Sequence, residues 1–215
     1  MVTTKIYTEP PICEKEILRY AGCKDSDEEF LQFLRACVEE VRGKLSYKVC
    51  FQELPVNIAE NTCDFGCMKV QSHNLAQNLK GTQSVILFAA TIGVEIDRLI
   101  TKYGKVSPSK ALMFQAIGAE RIEALCDAFC EDIKSEKQMA TRPRFSPGYG
   151  DVPLETQKDM FRILECSKKI GLSLNDSLLM SPSKSVTAFV GLAETTEKTN
   201  KCAACDKTDC EYRGA

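Results

Sequence analysis

The chain has 215 residues, room for one large domain or two small ones. Lys and Arg total 28 against 30 Asp and Glu, a net charge of −2, so no basic excess exists to neutralise a phosphate backbone, and nucleic acid is excluded as the main partner. With 44% apolar and 27% charged residues the composition is that of a globular protein in water. The longest charge-free apolar stretch, 84–94, falls well short of the roughly 20 residues that cross a bilayer, so no membrane partner is expected. The opening MVTTKIYTEPP carries no hydrophobic signal region, and the expected location is cytoplasmic.

In chain order, residues 13–44 are expected to be helical. Phe30, Leu31, Phe33, Leu34, Cys37, Val38 and Val41 recur at spacings of three and four, and Gly43 marks the end. A strand over 47–54 precedes Pro55, and helix resumes over 72–79 until Gly81. The run 84–91 is almost continuously apolar, the pattern of a strand buried on both faces. Helix follows over 94–103. Ser107-Pro108 then sets a cap residue before Pro at the first helical position and opens a long amphipathic helix to about Lys137. Residues 139–153 hold Pro143, Pro147, Pro153, Gly148 and Gly150 and are expected to be irregular. A helix over 154–170 stops at Gly171, and strands are expected over 177–180 and 185–191. The expectation is one α+β domain, 1–195, followed by a Cys-rich C-terminal tail, 196–215.

Arg144-Phe145-Ser146-Pro147-Gly148-Tyr149 is the most informative segment. Pro147 fixes φ near about −65°, and Gly148 permits a close backbone approach that other residues forbid. Arg144 offers a planar fork for a carboxylate, and Tyr149 a π face for a cation or an adenine ring. An anion-binding arm beside an aromatic surface suits a zwitterionic amino acid bearing a cationic centre. A plain interhelical turn would use the same Pro-Gly pair.

The loop resembles the Arg-x-x-x-Gly-Tyr signature of the activation domain of cobalamin-dependent methionine synthase. The surroundings agree in order: the acidic helix with Glu123-Ala124-Leu125-Cys126-Asp127, then Gly150-Asp151-Val152-Pro153-Leu154, then Ile170-Gly171-Leu172 and the stretch 177–186. The likeness covers roughly 80–195, while 1–79 diverges and offers no residue to carry over. It implies an α+β fold with helices around a twisted antiparallel sheet. It also implies binding of S-adenosylmethionine, with Arg144 on the ligand carboxylate, Glu123 as the acid for its amino group, backbone groups of Ser146 and Gly148 on the adenosyl moiety, and Tyr149 packed beside it. Glu120, one turn away, competes with Glu123 for that role. Ser146 stands where the family usually has a small apolar residue.

The family's role implies reductive methylation of cob(II)alamin, with an electron from a flavodoxin or ferredoxin-type donor. A chain of 215 residues cannot also hold cobalamin, homocysteine and folate domains, so the resemblance implies action in trans on a cobalamin-binding methionine synthase or other corrinoid protein. A corrinoid-protein chaperone without methyl transfer is the alternative from the binding-module class. The chain is then an accessory to a methyltransferase in methionine biosynthesis.

Twelve residues are Cys, with one His and no Trp. A chain of this size needs no cross-links, so reduced thiols are expected. Cys202, Cys205 and Cys210 have a C-x-x-C core with metal-ligand spacing, which points to zinc or an iron–sulfur cluster and leaves a fourth ligand to Cys166, Cys63, Cys67 or another chain. An iron–sulfur electron carrier using this tail is the other alternative function. Cys63 and Cys67 also fit one helical turn in a core, Cys126 and Cys130 sit at i and i+4 for packing, and His73 is expected at a surface or cap position. With one His and no Gly-x-Ser-x-Gly, Gly-x-x-x-x-Gly-Lys or Gly-x-Gly-x-x-Gly, serine-hydrolase, phosphate-loop and doubly wound nucleotide sites lack support.

Overall fold

The structure is a computed structural model, and it describes residues 1–23 and 27–194. Its elements in chain order are β1 (Thr3–Ile6), α1 (Glu14–Tyr20), α2 (Glu28–Val41), β2 (Lys48–Pro55), β3 (Asn57–Ala59), β4 (Thr62–Asp64), β5 (Lys69–Gln71), α3 (His73–Asn78), β6 (Ser84–Thr91), α4 (Glu95–Tyr103), α5 (Pro108–Lys137), β7 (Ala140–Thr141), α6 (Thr156–Leu164), α7 (Cys166–Ile170), β8 (Ser173–Leu174), β9 (Met180–Ser181) and β10 (Ser185–Ala193). Five strands form the main sheet in the order β1-β2-β6-β10-β7, every neighbouring pair antiparallel. This is the expected α+β class. No helix among the described residues is long and apolar enough to cross a membrane.

Strand β6 organises the core. Successive side chains alternate between faces, so Ile86, Phe88 and Ala90 enter one cluster and Val85, Leu87 and Ala89 enter another. Helices α1, α2, α4 and α5 cover the first face, with Phe129 of α5 packed 4.8 Å from Phe88 and 5.2 Å from Phe51. Helices α3, α6 and α7 and the small sheet β3-β4-β5 cover the second, where Phe65 stacks on Phe189 at 5.2 Å. A continuous apolar run therefore marks a strand covered on both faces, here in an antiparallel sheet.

Several elements differ from expectation. Residues 13–44 form two helices, separated by a turn in which Gly22 has φ +74. The helix expected over 154–170 breaks at Glu165, whose φ of +49 puts a non-glycine residue in the left-handed region between α6 and α7. Tertiary packing holds that break, because Leu164, Cys166 and Ile170 are all buried in the second cluster. The segment 177–179 is a turn; only Met180 and Ser181 pair, with β8. The irregular stretch 139–153 is in part an edge strand, as described below. Cys63 and Cys67 do not share a helical turn: Cys63 is buried in β4 and Cys67 is exposed in the turn after it.

Candidate functional site

The site begins where α5 ends. Gln138 adopts φ +53 and turns the chain back along β10. Ala140 and Thr141 pair with Ala193 and Leu192, the Arg142 N–H donates to the Gly191 carbonyl at 2.8 Å, and Phe145 and Phe189 exchange both backbone bonds at 3.0 and 2.8 Å. Pro143 lies within this stretch, which an edge strand tolerates because one side of its ladder is unpaired. Directly paired residues share a face, so Phe145 follows Phe189 into the second core cluster. Alternation then sends Arg144 to the opposite face, toward α5.

Beyond Phe145 the loop closes on itself. The Tyr149 N–H donates to the Ser146 carbonyl at 3.1 Å, with Pro147 and Gly148 in the central positions and Gly148 at φ +82. Pro followed by a positive-φ Gly is the requirement of a type II turn. The Gly148 N–H is spent on the Val152 carbonyl at 2.9 Å. Tyr149 is 72% exposed and meets Phe145 edge-on at 6.4 Å. Two anchors hold the loop against α3. Asn78 donates to the Pro143 carbonyl at 3.3 Å, and Asp151 accepts from the Ser72 hydroxyl and from the N–H groups of His73 and Asn74 at 2.7 and 3.2 Å. The Ser72 hydroxyl bond holds the Asp151 carboxyl below the usual carboxylate range, and the two N–H bonds add to it.

On the facing helix, Glu123 and Asp127 are four residues apart and therefore on one face. Arg144 donates to Glu123 Oε2 at 2.6 Å and to Asp127 Oδ1 through its other terminal nitrogen. The Arg144 side chain is 24% exposed, that of Glu123 42% and that of Asp127 70%. Burial opposes the Arg144 charge, but the acidic surroundings, Asp127 and Glu123 among them, outweigh it and push its pKa up. One residue inward, Cys126 is sealed in the first core cluster and burial pushes its thiol well up.

Glu120 is placed differently. It is 4% exposed, accepts the Cys13 N–H at 3.1 Å, and forms a two-bond ion pair with Arg121, which is itself fully buried. Arg121 also donates to the carbonyls of Pro10 and Pro11 at 2.6 and 2.7 Å. Of the two acids considered, Glu123 is therefore the one beside Arg144, and Glu120 is turned to the N-terminal segment.

Two open clefts meet at this cluster. One, of about 400 Å³, runs between α5 and the segment from Pro10 to Tyr20, and Glu123 lines it. The other, of about 380 Å³, lies between Asp127, Cys130 and residues 141–144. Asp127 lines both. Both fall in the range of ~300–1,000 Å³ typical of small-molecule sites. Two contributors to the site escape the sequence reading: Asp127 as a partner of Arg144, and the wall formed by Pro10, Pro11, Cys13 and Tyr20. The i,i+4 spacing from Glu123 would have flagged Asp127. Nothing in sequence flags a wall over a hundred residues from the helix it faces.

Of the remaining candidates, Cys202, Cys205 and Cys210 lie outside the described residues. Among the described residues no cluster of three His, Cys, Asp or Glu could hold a metal ion, and the nine described cysteines are free thiols. Cys166, considered as a fourth ligand, is fully buried beside Cys50. His73 is exposed at the start of α3, with its Nδ1 3.0 Å from Asn61 Oδ1.

A family model described as "Vitamin B12 dependent methionine synthase, activation domain" matches residues 69–212. Among solved structures, the crystal structure of the MetH reactivation domain bound to AdoHcy resembles the chain with a TM-score of 0.67 at 14% identity, over 92% of this chain and 80% of that one. At that identity the likeness shows the fold. No curated protein matches by sequence.

Proposed function

The chain belongs to the family of vitamin B12-dependent methionine synthase activation domains, and from that premise we propose that it binds S-adenosylmethionine at Arg144 and Glu123. We further propose that it supports reductive methylation of cob(II)alamin on a separate cobalamin-dependent methionine synthase or related corrinoid protein. The observation that carries the reading is the Arg144–Glu123 pair, 2.6 Å apart and part-exposed between two clefts. A zwitterionic ligand can insert into such a pair. Its carboxylate takes the guanidinium fork and its ammonium takes Glu123, so each charge keeps an opposite partner. The exchange costs little, because the guanidinium keeps a carboxylate partner throughout and the carboxylates it releases, 42% and 70% exposed, reach the ligand ammonium or water.

The loop then serves the adenosyl moiety. The Gly148 N–H is already committed within the turn, so the groups that remain for a ligand are the Ser146 N–H and the Gly148 carbonyl. Tyr149 presents an exposed ring beside them. The partner's corrinoid accepts the methyl group and a flavodoxin or ferredoxin-type protein supplies the electron. This chain's contribution is to hold the methyl donor in position, while the demanding chemistry belongs to the cofactor.

Calorimetric titration with S-adenosylmethionine tests the site. Arg144→Ala should weaken binding by about 1.5–3 kcal/mol, the contribution of hydrogen bonds to a charged group. Unchanged affinity would remove Arg144 from the site. Methylation of cob(II)alamin on an added corrinoid protein, present with the wild type and lost with Arg144→Ala, tests the second half. Saturable binding without methylation would favour the chaperone alternative.

A further inference from the structure

The geometry points to Asp127 as the residue that makes the site discriminate between the methyl donor and its demethylated product, an inference that rests on the assignment of Arg144 and Glu123 above. The cluster holds one cation and two carboxylates, a surplus of one negative charge. The other acids lining the first cleft already have cationic partners: Glu16 pairs with Arg19 at 2.7 Å and Glu120 with Arg121 at 2.5 Å. Arg142, the other cation lining the second cleft, turns its guanidinium away to the Lys80 carbonyl at 2.9 Å, so the surplus falls to Asp127, which lines both clefts and is 70% exposed.

The ligand's own charges complete the argument. The donor carries an ammonium, a carboxylate and a sulfonium, for a net charge of +1; the product lacks the sulfonium charge and is a neutral zwitterion. With the ligand carboxylate on Arg144 and its ammonium on Glu123, those four charges cancel in pairs. Left over is Asp127, displaced from one arm of the guanidinium. Toward the donor it faces a positive sulfonium. Toward the product it has no such partner, and it has lost Arg144. Asp127 thus competes with the carboxylate of either ligand and returns an attraction only to the donor. Once the methyl has left, that attraction goes with it, and the product is released more readily.

The test is calorimetry on the full chain with S-adenosylmethionine and S-adenosylhomocysteine, comparing wild type, Asp127→Asn and Asp159→Asn. The last removes an equal charge from an exposed pair with Arg162 on α6, away from the site. Asp127→Asn should tighten product binding by about two- to fivefold, the scale of losing one exposed competing ion pair. It should also lower the donor-over-product preference by about threefold or more, the scale of one solvent-screened charge contact. Asp159→Asn should change neither. Raising salt should shrink the wild-type preference and leave that of Asp127→Asn nearly flat. A preference unmoved in Asp127→Asn, with Arg144→Ala still weakening both ligands, overturns the role of Asp127 alone. Wild type that binds neither ligand, or binding of both that Arg144→Ala leaves intact, overturns the site assignment and this inference with it.

Discussion

Two arginine–carboxylate groups meet on helix α5 one turn apart, and their surroundings give them different work. Arg121 pairs with Glu120 from the helix itself, and Arg144 reaches Glu123 and Asp127 from the facing edge segment. Arg121 is fully buried, and its donors go to Glu120 and to the Pro10 and Pro11 carbonyls. Its carboxylate partner is only 4% exposed, so the group cannot trade it for another without stranding a buried charge. Arg144 is 24% exposed, and its carboxylate partners are themselves 42% and 70% exposed. Those carboxylates can return to water at small cost. The contrast shows why the presence of an ion pair says little by itself: burial decides whether it ties the chain together or waits for a ligand.

The largest effect should come from breaking the buried group. Arg121→Leu leaves Glu120 charged and buried and the Pro10 and Pro11 carbonyls without their donor, so urea unfolding should show a loss of about 3–5 kcal/mol. A double Glu120→Gln, Arg121→Met variant should recover part of that loss, since no lone charge remains. A loss below about 1 kcal/mol for Arg121→Leu would erase the distinction between the groups. Next in size is Arg144→Ala, whose ligand affinity should fall as given above while its stability toward urea changes by less than about 1 kcal/mol. A larger stability loss would make Arg144 structural too.

A smaller effect tests how the loop is held opposite the open group. Ser72→Ala removes the hydroxyl that caps α3, accepting from the Leu75 N–H at 2.9 Å, and also its bond to Asp151, so about 1 kcal/mol of stability should be lost. The smallest effect is a pH dependence at the same contact. The Asp151 carboxyl is held below its ordinary value, so it binds its proton less readily in the folded than in the unfolded chain. Its contribution is therefore complete above the unfolded pKa of about 3.9 and fades as pH falls through the lower folded value. The stability difference between wild type and Asp151→Asn should accordingly narrow below about pH 4, read by urea unfolding at several pH values. A difference that stays constant through that range would mean that the carboxylate does not anchor the loop.

Much of this arrangement is legible in sequence, and unevenly so. Strand β6 falls on the residues its apolar run marks, and α5 starts at Pro108 as the Ser-Pro pair implies. The Ser107 hydroxyl, however, makes no capping bond to the helix. The turn at Pro147-Gly148 follows from two residues with narrow conformational rules. The pairing of 140–145 along β10 was not legible, because a Pro- and Gly-rich stretch reads as irregular until a neighbouring strand offers its edge. Nor was the break at Glu165, a residue whose left-handed conformation runs against its own preference.

Sequence by itself determined the long elements such as β6 and α5, the balanced charge, the Arg-x-x-x-Gly-Tyr loop and, through it, the family. Periodicity, caps and turn residues act within a few positions, so they survive without knowledge of the fold. Only the tertiary structure decided that Glu123 and Asp127 share Arg144 while Glu120 turns to Arg121, and that Pro10 and Pro11 close a cleft against α5. Apart from the adjacent Glu120 and Arg121, those contacts join residues 17 to 111 positions apart. Which of several similar acids meets which arginine depends on helix phase, strand alternation and burial together, and each of these is set only when the sheet and α5 pack.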